Sequence, residues 1–157
     1  MAKPRPIPDL SAEESYSEAA AKIVAVRTEE LAGHSRDVLD TGDIERVHDM
    51  RVATRRLRAA LEVFEPCFPR KPYRQTLKDV KRLADALGER RDRDVAIATL
   101  TNFSAQMHGP DRRGVTSLVD RLRDEQIEAN HELAPIVAPQ SLDPLLESLH
   151  ELVEVAR

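Results

Sequence analysis

Between Asp43 and Pro66 the apolar residues return every three or four positions, a pattern that makes this stretch an amphipathic α-helix. At about 100° per residue, Met50, Ala53, Leu57, Ala60, Leu61 and Phe64 gather between roughly 120° and 220° of arc measured from His48. His48, Arg51, Arg55 and Arg58 form a separate stripe about 80° wide, and only Arg56 points elsewhere. Such a helix turns an apolar face to a core and a concentrated cationic edge to an anion.

The rest of the chain keeps the helical period, and its prolines and glycines mark the breaks. Pro4, Pro6 and Pro8 predict an extended segment over residues 1–10. Ser11 with Glu14 is a capping-box pattern that opens a single helical domain over residues 11–157. The first helix is expected to reach about Asp40, with Gly33 as a mild defect or kink. Asp43 caps the second helix and Pro66 ends it. Pro72 starts a third helix, which Gly88 closes. A fourth covers Asp92 to Met107, His108 to Asp111 form a break, and a fifth covers Arg112 to Leu133. A linker over Pro135 to Pro139 precedes a last helix from Asp143-Pro144 onward. No stretch alternates as a strand does. The expected fold is all-α, an antiparallel bundle of about six helices.

Charge is distributed unevenly. The chain carries a net −4, so it is not a general polyanion binder. Residues 44–94 nevertheless hold 14 Lys and Arg against 9 Asp and Glu, a net +5, and the flanks carry −4 and −5. The basicity is that of a local site. One cysteine, Cys67, excludes a disulfide framework or a thiolate cluster. No apolar run approaches the ~18 residues of a membrane span, and the start lacks the apolar core of a signal peptide. A cytoplasmic protein with no membrane partner is the expectation.

A second cationic row lies on the third helix, where Arg74, Lys78, Lys81 and Arg82 fall within about 100° of arc. Short connections pack consecutive helices antiparallel, which would bring both rows to one groove. Guanidinium groups stay charged and donate to phosphate oxygens in a planar fork, and lysines add point charge. A row from His48 to Arg58 is about 15 Å long and suits a chain of phosphates better than one small ion. A protonated His48 adds two donors, so binding should strengthen as pH falls through its titration. The competing reading is a solvated helix face neutralised by acids from other helices. Arg91-Asp92-Arg93-Asp94 reads as helix-start acids paired with arginines, not as metal ligands. No cofactor, metal set or catalytic group is expected.

The residues His48 to Arg58 (HDMRVATRRLR), then Leu83, Leu87-Gly88 and Arg91 to Val95 (RDRDV), resemble the CHAD family of histidine-bearing α-helical domains. The motif pair covers residues 48–95 and the helical pattern about residues 11–150. The resemblance implies a non-catalytic domain whose basic groove binds inorganic polyphosphate, often in proteins associated with polyphosphate granules. By motif match it implies phosphate-binding roles for His48, Arg51, Arg55, Arg56, Arg58 and Arg91. Arg74, Lys78, Lys81 and Arg82 follow on the next helix, and Asp92 is implied as an organiser of arginine side chains. Fuller family members hold two such repeats. This chain resembles one, so a homodimer about a twofold axis would rebuild the two-repeat groove. Nucleic acid is a competing partner for the same arginines, disfavoured by the net charge and by an aromatic content of 3%. A helical scaffold module is the other alternative.

Overall fold

Pro66 and Pro69 cut the chain where the second helix must reverse, and the fold follows from that reversal. The computed structural model describes residues 3–156. Five α-helices occupy this range: α1 (Tyr16–Gly33), α2 (Glu45–Val63), α3 (Arg70–Ser104), α4 (Pro110–Val137) and α5 (Pro139–Glu154), with a single 3-10 turn at Glu65–Cys67. There is no strand among the described residues, and none of their helices is long and apolar enough to cross a membrane. Helices α1, α2, α3 and α5 surround one core, with α2 packed on both α1 and α3 and α5 on both α1 and α3. Helix α4 returns along α3.

The apolar face of α2 is buried as its period requires: Met50, Ala53, Leu57 and Leu61 are fully enclosed. Met50, Leu57 and Leu61 join Val24 and Leu31 of α1, Val80, Leu83 and Leu87 of α3, and Leu149 and Leu152 of α5 in one cluster. Each such leucine contributes on the order of 1.5–3 kcal/mol by leaving water. Cys67 is part of this core, and burial pushes its thiol up from the ordinary range, which makes it inert packing.

Several expected boundaries move. The third and fourth helices are one, because Gly88 does not stop α3. The row Leu83, Leu87, Arg90 and Asp94 stays buried straight through it, and packing outweighs glycine's preference for a helix end. Six expected helices are therefore five. The first helix begins one turn later than Ser11: Ser15 and Glu18 form the capping box, through Ser15 N–H to Glu18 Oε2 at 2.8 Å and Glu18 N–H to Ser15 Oγ at 3.2 Å. Ser11 N–H still reaches Glu14 Oε1 at 2.8 Å, but Lys22 Nζ holds Glu14 at 2.7 Å and Asp9 O at 2.6 Å and folds this turn back onto α1. Helix α1 ends at Gly33, not Asp40. No linker separates the last two helices. Helix α4 runs through Pro135 to Val137, Ala138 alone is extended, and α5 starts at Pro139. Proline forces the residue before it out of the helical region, so Pro139 sets the break. Pro135 and Pro144 each forfeit one ladder bond near a helix end.

The expected extended segment lies outside the described residues at 1–2; from Lys3 to Ile7 it has no regular structure, it turns at Pro8-Asp9, where Asp9 has a φ of 53°, and it is strapped to α1. Arg5 N–H donates to Glu30 Oε1 at 2.5 Å, and Arg27 Nη1 donates to Arg5 O at 3.1 Å.

Candidate anion-binding groove

Helices α2 and α3 are tied in antiparallel register at three levels. At one end Arg91 Nη1 of α3 donates to Ile44 O, just before α2, at 3.1 Å. In the middle Arg51 Nε lies 3.8 Å from where a Cβ on Gly88 would stand, so Gly88 forms the floor beneath this arginine. At the far end Glu62 of α2 joins the two helices, accepting from Arg58 Nε at 3.0 Å and lying 3.5 Å from Lys81 Nζ. Arg51 and Arg58 of the first cationic row and Lys81 of the second border the same groove.

The side chains along it differ in how they are compensated. Arg51, Arg55, Arg74 and Lys78 make no ion pair among the described residues. Arg51 is half-buried and the other three are exposed. Arg58 and Lys81 share Glu62, and the hydrogen bond from Arg58 is the main reason that this carboxyl titrates below the ordinary range. Beyond Lys81, an open cleft of about 650 Å³ is lined by Arg70, Lys71, Pro72, Arg74, Gln75 and Lys78, four cations and no acid. Arg70 and Lys71 escaped the sequence reading because helix 3 was expected to begin at Pro72. It begins at Arg70, which puts both on its first turn.

Two expected site residues lie elsewhere, and a third is already engaged. Arg56 turns to α1, with Nη1 3.8 Å from Glu30, a carboxylate only 2% exposed that Arg27 also contacts at 2.6 Å. Its position on the far side of α2 from the cationic stripe dictates this. Arg82 faces α5 and lines a cavity of about 230 Å³ with Asp79, Ile136, Ser141, Pro144, Leu145 and Ser148. Arg91 borders the groove, but its guanidinium already holds Ile44 O and approaches Glu45 Oε1 at 3.4 Å. It acts as a clamp on the start of α2.

The organising acid is Asp94, not Asp92. Asp92 is exposed and forms no hydrogen bond or ion pair among the described residues. Asp94 is buried, and its Oδ1 accepts from Arg90 Nε at 2.9 Å and Gln126 Nε2 at 2.5 Å. Arg90 Nη1 donates to Asn130 Oδ1 at 2.5 Å, and Asn130 Nδ2 donates to Leu39 O at 3.0 Å. This network joins α3, α4 and the loop before α2, so it holds the groove's walls without touching the groove. The sequence signal was the spacing of four between Arg90 and Asp94 on the apolar face of α3.

His48 is half-buried beside Glu45 and Asp49. These three could offer one ligand atom each to a cation, all within 4.8 Å of one another. Spacings of three and four on one helix turn bring them together. In this arrangement the Glu45 carboxylate is directed to Arg91.

A family model described as CHAD domain matches residues 22–157. No curated protein and no solved structure matches the chain.

Proposed function

Because the chain belongs to the CHAD domain family, we propose that it binds inorganic polyphosphate, without chemistry of its own, along the groove between α2 and α3. The observation that carries this reading is the cross-tied register of two cationic rows in which Arg51, Arg55, Arg74 and Lys78 lack acidic partners among the described residues. Unpaired cations in a row repel one another, and i,i+4 pairs such as Arg51 and Arg55 or Arg74 and Lys78 destabilise the free helix slightly. A bound polyanion relieves that repulsion. The cleft at Arg70 and Lys71 extends the path at one end, while Arg56 and Arg82 take no part. On this reading the protein collects on polyphosphate granules in cells that form them.

The test is a salt-series titration of long-chain polyphosphate against single-stranded RNA. Polyphosphate should bind more tightly, because it carries charge without bases and the groove offers no aromatic platform. Its affinity should fall linearly on a double-logarithmic salt plot, as counterion release requires. Equal affinity for RNA would shift the reading to nucleic acid, and binding of neither polymer would leave the rows as a solvated surface. Removing His48, as His48→Ala, should flatten the pH profile of polyphosphate affinity. An unchanged profile would remove His48 from the site.

Glu62 competes with the ligand for Arg58 and Lys81. Replacement by Gln should tighten polyphosphate binding roughly threefold at neutral pH, the scale of a solvent-exposed ion pair. The sign with pH is set by the lowered carboxyl. Glu62 stays charged through the usual carboxylate range of about 4.3, so wild type and Glu62→Gln should converge only in stronger acid. The stability that Glu62 contributes is present above its unfolded-state value and lost as pH falls through the depressed one. A Glu62→Gln protein that binds no better in an isothermal titration at pH 7 would show that the carboxylate does not compete.

A further inference from the structure

The arm made by the end of α3 and the start of α4 is poorly covered. Residues 95–110 contain no Asp, Glu, Lys or Arg in a chain that is 33% charged. Val95, Phe103, Leu118 and Ile127 on this arm are between 45% and 54% exposed. Charge depletion with exposed aromatic and aliphatic groups is the composition of an interface centre.

The arm has a second apolar face besides the one between its own helices. Ala96, Leu100 and Phe103 are spaced four and three, which places them on one side of α3. Arg93 Nε lies 3.7 Å from Glu125 Oε2 and identifies the side of α4 beside it. One heptad toward the tip from that contact sets Leu100 beside Leu118, and Gly114 and Asp111 follow on the same side of α4 at spacings of four and three. The α4 side therefore reads Asp111, Gly114, Leu118, Arg121.

Gly114 is the informative residue. It sits inside an exposed helix, where glycine is less stable than alanine by about 0.5–1 kcal/mol. A Cβ there would meet nothing within 4 Å, so nothing in the chain's own packing calls for glycine. A bare backbone on an exposed helix lets a second helix approach closely.

We propose that a second copy of this chain docks on this face, with the two α4 helices antiparallel and Leu118 of each copy seated over Gly114 of the other. That register also sets Asp111 against Arg121 of the other copy, in both directions. Arg121 is free to take part, since its side chain is 78% exposed and its own-chain contact with Glu125 is 3.7 Å. One register thus satisfies the size match and both charge pairs, as an isologous contact demands. An unrelated partner would have no reason to match both.

Light scattering and sedimentation of the full chain across a dilution series test this. Wild type should be dimeric at high concentration and dissociate on dilution. Gly114→Gln should weaken the dimer at least about tenfold, yet unfold at an equal or higher temperature when measured dilute, because it improves the helix. Arg121→Asp should weaken the dimer, and Asp111→Arg/Arg121→Asp should restore it. A wild type that stays monomeric throughout, an undiminished Gly114→Gln dimer, or a charge swap that restores nothing would each overturn the proposal. The readout is mass, so the result stands apart from whether the groove binds polyphosphate.

Discussion

Reversing two charges in the middle of the groove, as Arg51→Glu/Arg55→Glu, should lower polyphosphate affinity about 100-fold at moderate salt, equivalent to about 2.7 kcal/mol. Neither arginine pairs with an acid among the described residues, so each can turn fully to the ligand. The reversal also adds two repulsive charges to the line the polymer would follow. The double-logarithmic salt slope should become shallower by at least roughly 1.4, from two lost contacts at about 0.7 per phosphate on a flexible strand. The fold should survive, because Arg55 is exposed and Arg51 lies over a glycine instead of in the core. Helix content by circular dichroism checks that point. Full binding by a folded double variant would place the ligand elsewhere.

The largest stability effect should come from Asp94→Ala, which leaves the Arg90 guanidinium buried without its carboxylate. Removing one partner of a buried pair costs about 3–5 kcal/mol, far more than the pair itself is worth. Arg90 is 0% exposed, and Asp94 is the only acid that pairs with it among the described residues, so the substitution leaves a buried charge without its counter-ion. The midpoint of urea unfolding should fall sharply. Replacing both groups, as Arg90→Met/Asp94→Leu, should recover most of the loss. A midpoint for Asp94→Ala close to wild type would mean that Arg90 finds another anion. Because the same network reaches Leu39 O through Asn130, Asp94→Ala should also loosen the entry to α2.

Helix α2 was legible from its sequence because one period carried both its buried and its charged faces, and the buried one is as expected. Adjacent helices joined by a short proline-bounded turn were enough to expect the two rows side by side. Gly88 misled because a glycine after an apolar run ends a helix only when nothing beyond it is buried. Here Arg90 and Asp94 continue the buried face as a pair, and a helical pattern scored on apolar residues alone passes over charged ones. The motif match implied the organising role for Asp92, whereas the buried acid that holds Arg90 is Asp94, two residues on. Arg56 was inseparable from its neighbours by composition, and only its angle on α2, toward the Glu30 carboxylate, separates it from the groove. The strap from Arg5 to Glu30 joins positions 25 residues apart through a backbone amide, for which a sequence carries no local signal.

Helix α1 packs on α5 as well as on α2, and this has a consequence for how the chain is made. A ribosome adding roughly 10 residues per second takes on the order of ten seconds to pass from the end of α1 to the start of α5. Through that interval α1 can settle on α2, but the side awaiting Leu142, Leu145, Leu149 and Leu152 has no cover. The bundle is therefore completed only after α5 has been made. A chain stalled before α5 should present that uncovered side to chaperones and to other nascent chains.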